Sequence, residues 1–596
     1  MTRGQLVHAA FDVPLDPGDR DGPRLRGAFT SPPDRVLATS RLEEVPAVVA
    51  AAQAAALAGG WVVGGLRYEA GAAWDRAQTT HAGDGELARF EVFTGEPVPW
   101  PGAPAPVRPD WFPAAEFTAG GPAAAVCAVQ AHIAAGDCYQ VNLTGRMVAP
   151  GETAVDLYPT FRELAAAQPG GYAVFLAGAG VASASPELFV HAHPDGRLVT
   201  QPMKGTAPSD TSPQRLREDP KERAENLMIV DLLRNDLGRI CLPGTVRVDA
   251  LFDLVRLPTL WQLVSTVSGR ATPGTGLVDV FAALFPCGSV TGAPKIRAMQ
   301  LIAGLEGRPR GWYCGTLGVL RPGGEAIFNV AIRTVEQRAG RLECGVGSGI
   351  VADSDPDGEL AEWRAKARFL GGTPPAALET LLLVDGEYPR LTGHLARLAR
   401  TEAALGLGVD LARARQALAD LAAAHPSGRH RVRLTAGDAT VRVGIGPLED
   451  FPDPVPLALA TEPLDVASLR PVVAHKTTWR THYQRLRDRR PPGAFDVICH
   501  TPDARVTEAT LGNLAFRIDG RWVTPPATAG LLPGLEREAW VAAGTLTEAE
   551  VSLADLARVE GVAFLNAVRG WLPAVLVGPE ERTRADRQPA RLTSGS

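Results

Sequence analysis

Lysine is nearly missing from this chain. Of 60 basic side chains only five are lysine, Lys204, Lys221, Lys295, Lys366 and Lys476, and the rest are arginine. A guanidinium keeps its charge, whereas an ammonium can be tuned to lose its proton and act as a nucleophile. Each remaining lysine is therefore a candidate for work that arginine cannot do; chance retention at a solvated site is the alternative, and composition leaves both open. Cysteine is sparse as well: the seven, at 127, 138, 241, 287, 314, 344 and 499, show no C-x-x-C spacing. That argues against a disulfide framework or a structural zinc site and leaves buried thiols as the expectation. Long runs of one charge sign are absent too. With 60 basic against 66 acidic residues and a net charge of -6, nothing suggests a nucleic-acid or membrane surface, and a small-molecule partner fits better. No charged N-terminal segment leads into an apolar h-region, and Gly, Pro or charge interrupts the apolar stretches well short of a membrane span. A cytoplasmic location is expected.

What is present is enough chain for two cores. At 596 residues and 45% apolar content the chain is too long for one ordinary hydrophobic core. The clearest seam is Gly371-Gly372-Thr373-Pro374-Pro375, between a helix-like run and the strand-like Glu379–Val384, which predicts domains at 1–372 and 373–577. The Arg/Pro/Ser-rich remainder, 578–596, reads as a disordered tail, and Pro-rich 94–113 as a surface connection. Strand-like runs such as Tyr172–Leu176 and Ala326–Ile332 alternate with amphipathic helical stretches, so a layered α+β or α/β architecture is expected.

Two acidic pairs stand out in the first part. Lys221–Leu232 has helical character and puts Glu222 and Glu225 on one face at i and i+3. Ser354–Glu362 looks like a helix start, with Asp355 as N-cap and Pro356 at the first helical position, and presents Glu359 and Glu362 in the same way. Four converging carboxylates would suit magnesium, which takes oxygen ligands and completes its shell with water and an anionic substrate group. A solvated helix face next to Arg and Lys is the other reading, and spacing alone does not choose.

Several segments taken together carry a resemblance: Gly136-Asp137-Cys138-Tyr139-Gln140-Val141-Asn142-Leu143-Thr144, Ser183–Phe189 around Glu187, Pro202-Met203-Lys204-Gly205-Thr206, the Glu225 helix ending Arg234-Asn235-Asp236-Leu237-Gly238, Phe285–Lys295, Ile332-Arg333-Thr334, and Gly347–Ser354. In order, over about residues 60 to 370, they resemble the chorismate-utilising enzymes. The resemblance implies that Glu225 and Glu362 hold magnesium against the ring carboxylate of chorismate, supported by Glu222 and Glu359. Tyr313 and Arg333 would orient the side-chain carboxylate, a task that suits a planar guanidinium, with Thr291, Gly292 and Gly347 also among the substrate-binding residues. Glu187 would be the general acid that protonates the departing C4 hydroxyl, which needs a carboxyl group of raised pKa. Relatives that add water carry a lysine where this chain has Gln140, so ammonia is the expected nucleophile. Anthranilate synthases resemble the Lys204 segment but carry a small residue there, and aminate C2. A neutral Lys204 amine could instead attack C2 as the C4 hydroxyl departs, leaving ammonia to attack C4 and expel the lysine. Where many relatives have a histidine, this chain has Gln262. No cysteine sits in a glutaminase-like setting, so ammonia is expected from a separate glutamine amidotransferase subunit or from free solution.

The second part contains one lysine, Lys476, in Ala474-His475-Lys476-Thr477-Thr478-Trp479-Arg480-Thr481-His482-Tyr483. With Thr392–Leu398, Val506–Leu514 and Gly530–Arg537 it resembles the fold-type IV pyridoxal phosphate enzymes, which include branched-chain aminotransferases and aminodeoxychorismate lyases. The resemblance implies that Lys476 attaches the cofactor through its amine and that Glu508 pairs with the pyridine nitrogen. Arg397 would bind the phosphate with backbone amides near Gly534 and Leu535. A homodimer through this domain is one assembly the class suggests. The two resemblances together imply amination of chorismate at C4 followed by loss of pyruvate to give 4-aminobenzoate. The alternative is an anthranilate synthase component I joined to a branched-chain-type aminotransferase. His191-Ala192-His193 offers two imidazoles with no further ligand at metal-site spacing, and reads as a strand end before the Pro194-Asp195-Gly196 turn.

Overall fold

The computed structural model describes residues 6–578, apart from 105, 107, 108, 110, 115, 116, 151–155, 209–211, 257–259, 372–374, 470 and 471. The predicted tail from 579 onward and the centre of the predicted seam therefore lie outside the described residues. The chain divides into two compact units, Met1–Gly372 and Thr373–Ser596.

Among the described residues the first unit holds a nine-stranded and a ten-stranded sheet. They pack face to face: Phe11, Val174 and Leu176 from one meet Trp61, Val63 and Leu317 from the other, with Phe11 and Trp61 stacked at 5.7 Å. Burial of such side chains contributes roughly 1.5–3 kcal/mol each. Helices cover the two outer faces, Val45–Leu57, Pro220–Gly238 and Leu277–Leu284 on one and Pro122–Ala134, Tyr158–Ala166, Lys295–Leu305 and Pro356–Ala367 on the other. The strand pairings are antiparallel, which decides for α+β layering in this unit; periodicity could not choose, because both pairings use the same two-residue alternation. The Pro-rich stretch is a surface connection only in part. Phe112–Pro113 pairs with the strand Gln140–Pro150, and Trp111 and Phe112 are buried.

The second unit contains a three-stranded antiparallel sheet, Ala377–Val384, Arg429–Gly437 and Thr440–Pro447, covered by Leu391–Leu405 and Leu411–Ala424 through Leu381, Leu398, Leu418 and Val432. A separate eight-stranded sheet is mixed: Val455–Leu459 runs parallel to both Asp496–His500 and Gly570–Leu576. Among the described residues no helix is long and apolar enough to cross a membrane.

Candidate active sites

The first unit's cavity is built from two helices and a bulged strand edge. Asp219 caps the helix Pro220–Gly238 by accepting from the backbone N–H of Lys221 and Glu222, and Asp355 caps Pro356–Ala367 through Gly358 N–H. Each cap starts its helix so that an i, i+3 glutamate pair points the same way. All four carboxylates, Glu222, Glu225, Glu359 and Glu362, line one cavity. Glu359 is fixed by the Ser348 and Ser354 hydroxyls. Glu362 pairs with Lys366 at 2.7 Å, and the same ammonium donates to the Gly347 carbonyl at 2.8 Å.

Crowding of these carboxylates has an electrostatic signature. Burial, then repulsion from Glu225 and Glu362, pushes Glu222 up to about 7; burial also raises Glu225. Burial opposes ionisation of Glu362 too, but Lys366, together with Lys204 and Lys221, outweighs it and holds that carboxyl below its ordinary value. An all-oxygen cluster that keeps two of its members reluctant to ionise fits a small divalent cation, whose charge would relieve the repulsion.

Lys204 enters the same cavity from the strand Met203–Pro208, where the register with Leu260–Arg270 shifts between Met203 and Thr206. Asn226, on the Glu225 helix, anchors that strand by donating to the Lys204 carbonyl at 3.3 Å, while Ser265 donates to Asn226 Oδ1 at 2.6 Å. Space for the lysine depends on Gly349: a Cβ there would lie 3.0 Å from Lys204 Nζ and 1.9 Å from Gln140 Nε2. The Gln140 carboxamide is buried, with neither polar atom hydrogen-bonded.

Glu187 faces the cavity just before the strand Leu188–Ala192. Burial pushes its carboxyl up to about 7, against the Ser289 hydroxyl, which donates to Oε1 at 2.6 Å, and the nearby Lys204 ammonium. On the opposite wall Tyr313 closes over Gly345, where a Cβ would fall 2.1 Å from the ring. Arg333, in the left-handed region at φ 50°, donates to Gln168, and burial brings its guanidinium down to about 10.

Thr291 and Gly292 do not line the cavity. The Thr291 hydroxyl turns inward to the Cys287 and Gly288 carbonyls, and Gly292, at φ 139°, lets its backbone approach Gln140. Their neighbours Ser289 and Val290 form the wall instead. Ser289, Lys221 and Lys366 were not singled out from the sequence for this site. Lysine scarcity is the signal that could have found the last two, since three of the five lysines line this cavity. A fourth, Lys295, pairs with Asp236 at 2.9 Å away from it. Gln262 also faces the cavity.

In the second unit Lys476 follows a short 3-10 turn, and its carbonyl accepts from Leu378 N–H at 2.8 Å. Burial first, then Arg397, brings its amine down to about 7. Glu508, on the strand Val506–Ala509, accepts from the Tyr483 hydroxyl, Asn513 Nδ2 at 3.2 Å and Leu532 N–H at 3.1 Å; burial still pushes it up to about 7. Two guanidinium nitrogens of Arg397 are taken by Glu379, at 2.8 and 2.6 Å. Although burial opposes it, Arg397 and then His394 hold Glu379 at about 2. This leaves Arg397 Nη1 for an anion. Gly534 begins the helix Leu535–Ala542 without a side-chain cap, so its first N–H groups remain available. An amine of lowered pKa, a buried carboxylate, a guanidinium with one nitrogen to spare and an uncapped helix start suit pyridoxal phosphate. His482 was missed from the sequence: packed on Trp479 and Tyr483, it keeps both ring nitrogens buried and unpartnered.

Residues 121–371 match the family described as chorismate binding enzyme, and residues 376–577 the family described as amino-transferase class IV. Aminodeoxychorismate synthase component 1 of Salmonella typhimurium is 42% identical over 243 residues, which is 39% of this chain and 53% of that protein. Anthranilate synthase component 1 of Streptomyces coelicolor is 44% identical over 257 residues, 41% of this chain and 49% of that one. The chain thus spans about half the length of these curated relatives. The crystal structure of anthranilate synthase component I from Streptococcus pneumoniae is 23% identical, covers 62% of this chain and 91% of its own, and superposes with a TM-score of 0.49.

Proposed function

Residues 121–371 belong to the chorismate binding enzymes and residues 376–577 to the class IV amino-transferases, and we propose that the two units carry out consecutive steps from chorismate to 4-aminobenzoate. Overall identity does not separate amination at C4 from amination at C2, because relatives of both names match about equally well. The observation that carries the reading is Lys204 in one cavity with Glu187 and the four-glutamate cluster.

Tyr313 and Arg333 hold the side-chain carboxylate of chorismate, while Glu225 and Glu362, backed by Glu222 and Glu359, hold magnesium. When bound, that ion supplies positive charge opposite the ring carboxylate. Lys204 Nζ forms a bond to C2, the ring diene shifts towards C4, and the C4 hydroxyl leaves as water with a proton from Glu187. Ammonia from a separate glutamine amidotransferase then bonds to C4, the diene shifts back, and the C2–N bond breaks to release Lys204. The product is 4-amino-4-deoxychorismate.

In the second unit, pyridoxal phosphate, when bound, supplies an electron sink. Lys476 anchors it and takes the proton from C4 of the substrate; Glu508 holds the ring nitrogen; Arg397 and the amides at Gly534 and Leu535 hold the phosphate. Loss of that proton and breakage of the C3–O bond aromatise the ring and release the enolate of pyruvate, which takes up one proton to give pyruvate. Incubating the full chain with chorismate, ammonium, magnesium and pyridoxal phosphate tests this. Chromatography should show 4-aminobenzoate dependent on both cofactors; anthranilate in its place overturns the assignment of Lys204.

A further inference from the structure

Outside both sites, one cluster of metal-ligating side chains is assembled from distant parts of the chain. His191 and His193 stand two residues apart at the end of the strand Leu188–Ala192, on the same side, with ring centroids 3.7 Å apart. The neighbouring strand Ala326–Val330 pairs with it, Ala192 opposite Ala326, and brings in Glu325. Glu325 Oε1 lies 2.9 Å from His191 Nε2 and 3.8 Å from His193 Nδ1, and one ligand atom from each residue falls within 4.8 Å of the others. A tetrahedral ion with bonds of about 2.0–2.1 Å sets its ligand atoms roughly 3.4 Å apart, a value that the two contacts to Glu325 bracket.

The surroundings complete the case. Arg321 holds the other Glu325 oxygen at 2.5 Å, which orients the carboxylate to offer a single oxygen. A cavity of about 180 Å³ lined by His193, Thr275 and Gly323 adjoins one of the three ligands and has room for water.

We propose that His191, His193 and Glu325 bind a borderline divalent cation of the zinc class. Two imidazoles and one carboxylate select such an ion over magnesium, so the site does not compete with the four-glutamate cluster. It lies at the far end of the strand pair whose near ends lead to Glu187 and Arg333, where an ion clamps the pair without entering the cavity of the first unit.

The test titrates the chelator-treated full chain with cobalt(II) in excess magnesium, which occupies the carboxylate cluster. The expected result is one equivalent with the visible absorption of tetrahedral cobalt, and zinc raising the thermal midpoint. His193→Ala and Glu325→Gln should each weaken binding by roughly tenfold or more, leaving 4-aminobenzoate production unchanged. Should Glu325→Gln fail to fold, His193→Ala alone decides. Absence of the tetrahedral absorption, or equal affinity in wild type and variants, overturns the site.

Discussion

Glu187 and Glu508 are two buried glutamates in different units, and burial pushes both carboxyls up to about 7. Their neighbours differ. Glu187 borders an open cavity next to Lys204 and accepts from the Ser289 hydroxyl and the Met203 backbone. Glu508 has both oxygens engaged, one by Tyr483 and Leu532 and the other by Asn513. Desolvation alone therefore does not assign a task. A carboxyl that faces substrate can hand over its proton, whereas one surrounded by donors is oriented to pair with a cationic ring nitrogen. Both share one linkage: each binds its proton more tightly folded than unfolded, so its contribution to stability falls as pH rises from the ordinary carboxyl range through about 7.

The largest effects should come from removing the lysine that works beside each glutamate. Lys476→Ala should cut 4-aminobenzoate formation on the order of 10⁴-fold while 4-amino-4-deoxychorismate accumulates on the chromatogram; undiminished output would take that lysine out of the chemistry. Lys204→Ala should abolish C4 amination, or divert product to anthranilate, while the second unit still converts added 4-amino-4-deoxychorismate. Full activity in that variant would sink the covalent route. A smaller loss, roughly 10²–10⁴-fold in the first step, is expected for Glu187→Gln. In the wild type that step should slow as pH rises through about 7, because the acid form disappears; the variant should lack this limb. The finest probe is Ser289→Ala. Its hydroxyl favours the charged form of Glu187, so removing it should move the limb upward by about one unit. A limb that stays in place would mean that another group sets it.

Much of each site was legible because its signals are local. Capping Asp355 and the i, i+3 glutamate pairs depend on a few neighbouring residues, and helix geometry converts that spacing directly into a shared face. Scarcity did the same for Lys204 and Lys476, but by itself it does not place Lys221 and Lys366 in the cavity. Ser289 was out of reach: it meets Glu187 across 102 positions, and nothing in either segment encodes the meeting. Thr291 and Gly292 were placed one step too far into the cavity, because a motif marks a loop without saying which of its side chains turns inward.

By itself the sequence determined the amine nucleophiles on offer, the start of the Glu359–Glu362 helix, and the absence of a spaced cysteine site, all properties of composition or of a single turn of chain. Only the tertiary structure decided which groups meet. Sheet order brings Glu325 to His191, and packing takes Glu187 and Lys476 out of water. Register and burial are set by contacts between segments such as His191 and Glu325, 134 residues apart, where spacing along the chain carries no information about distance.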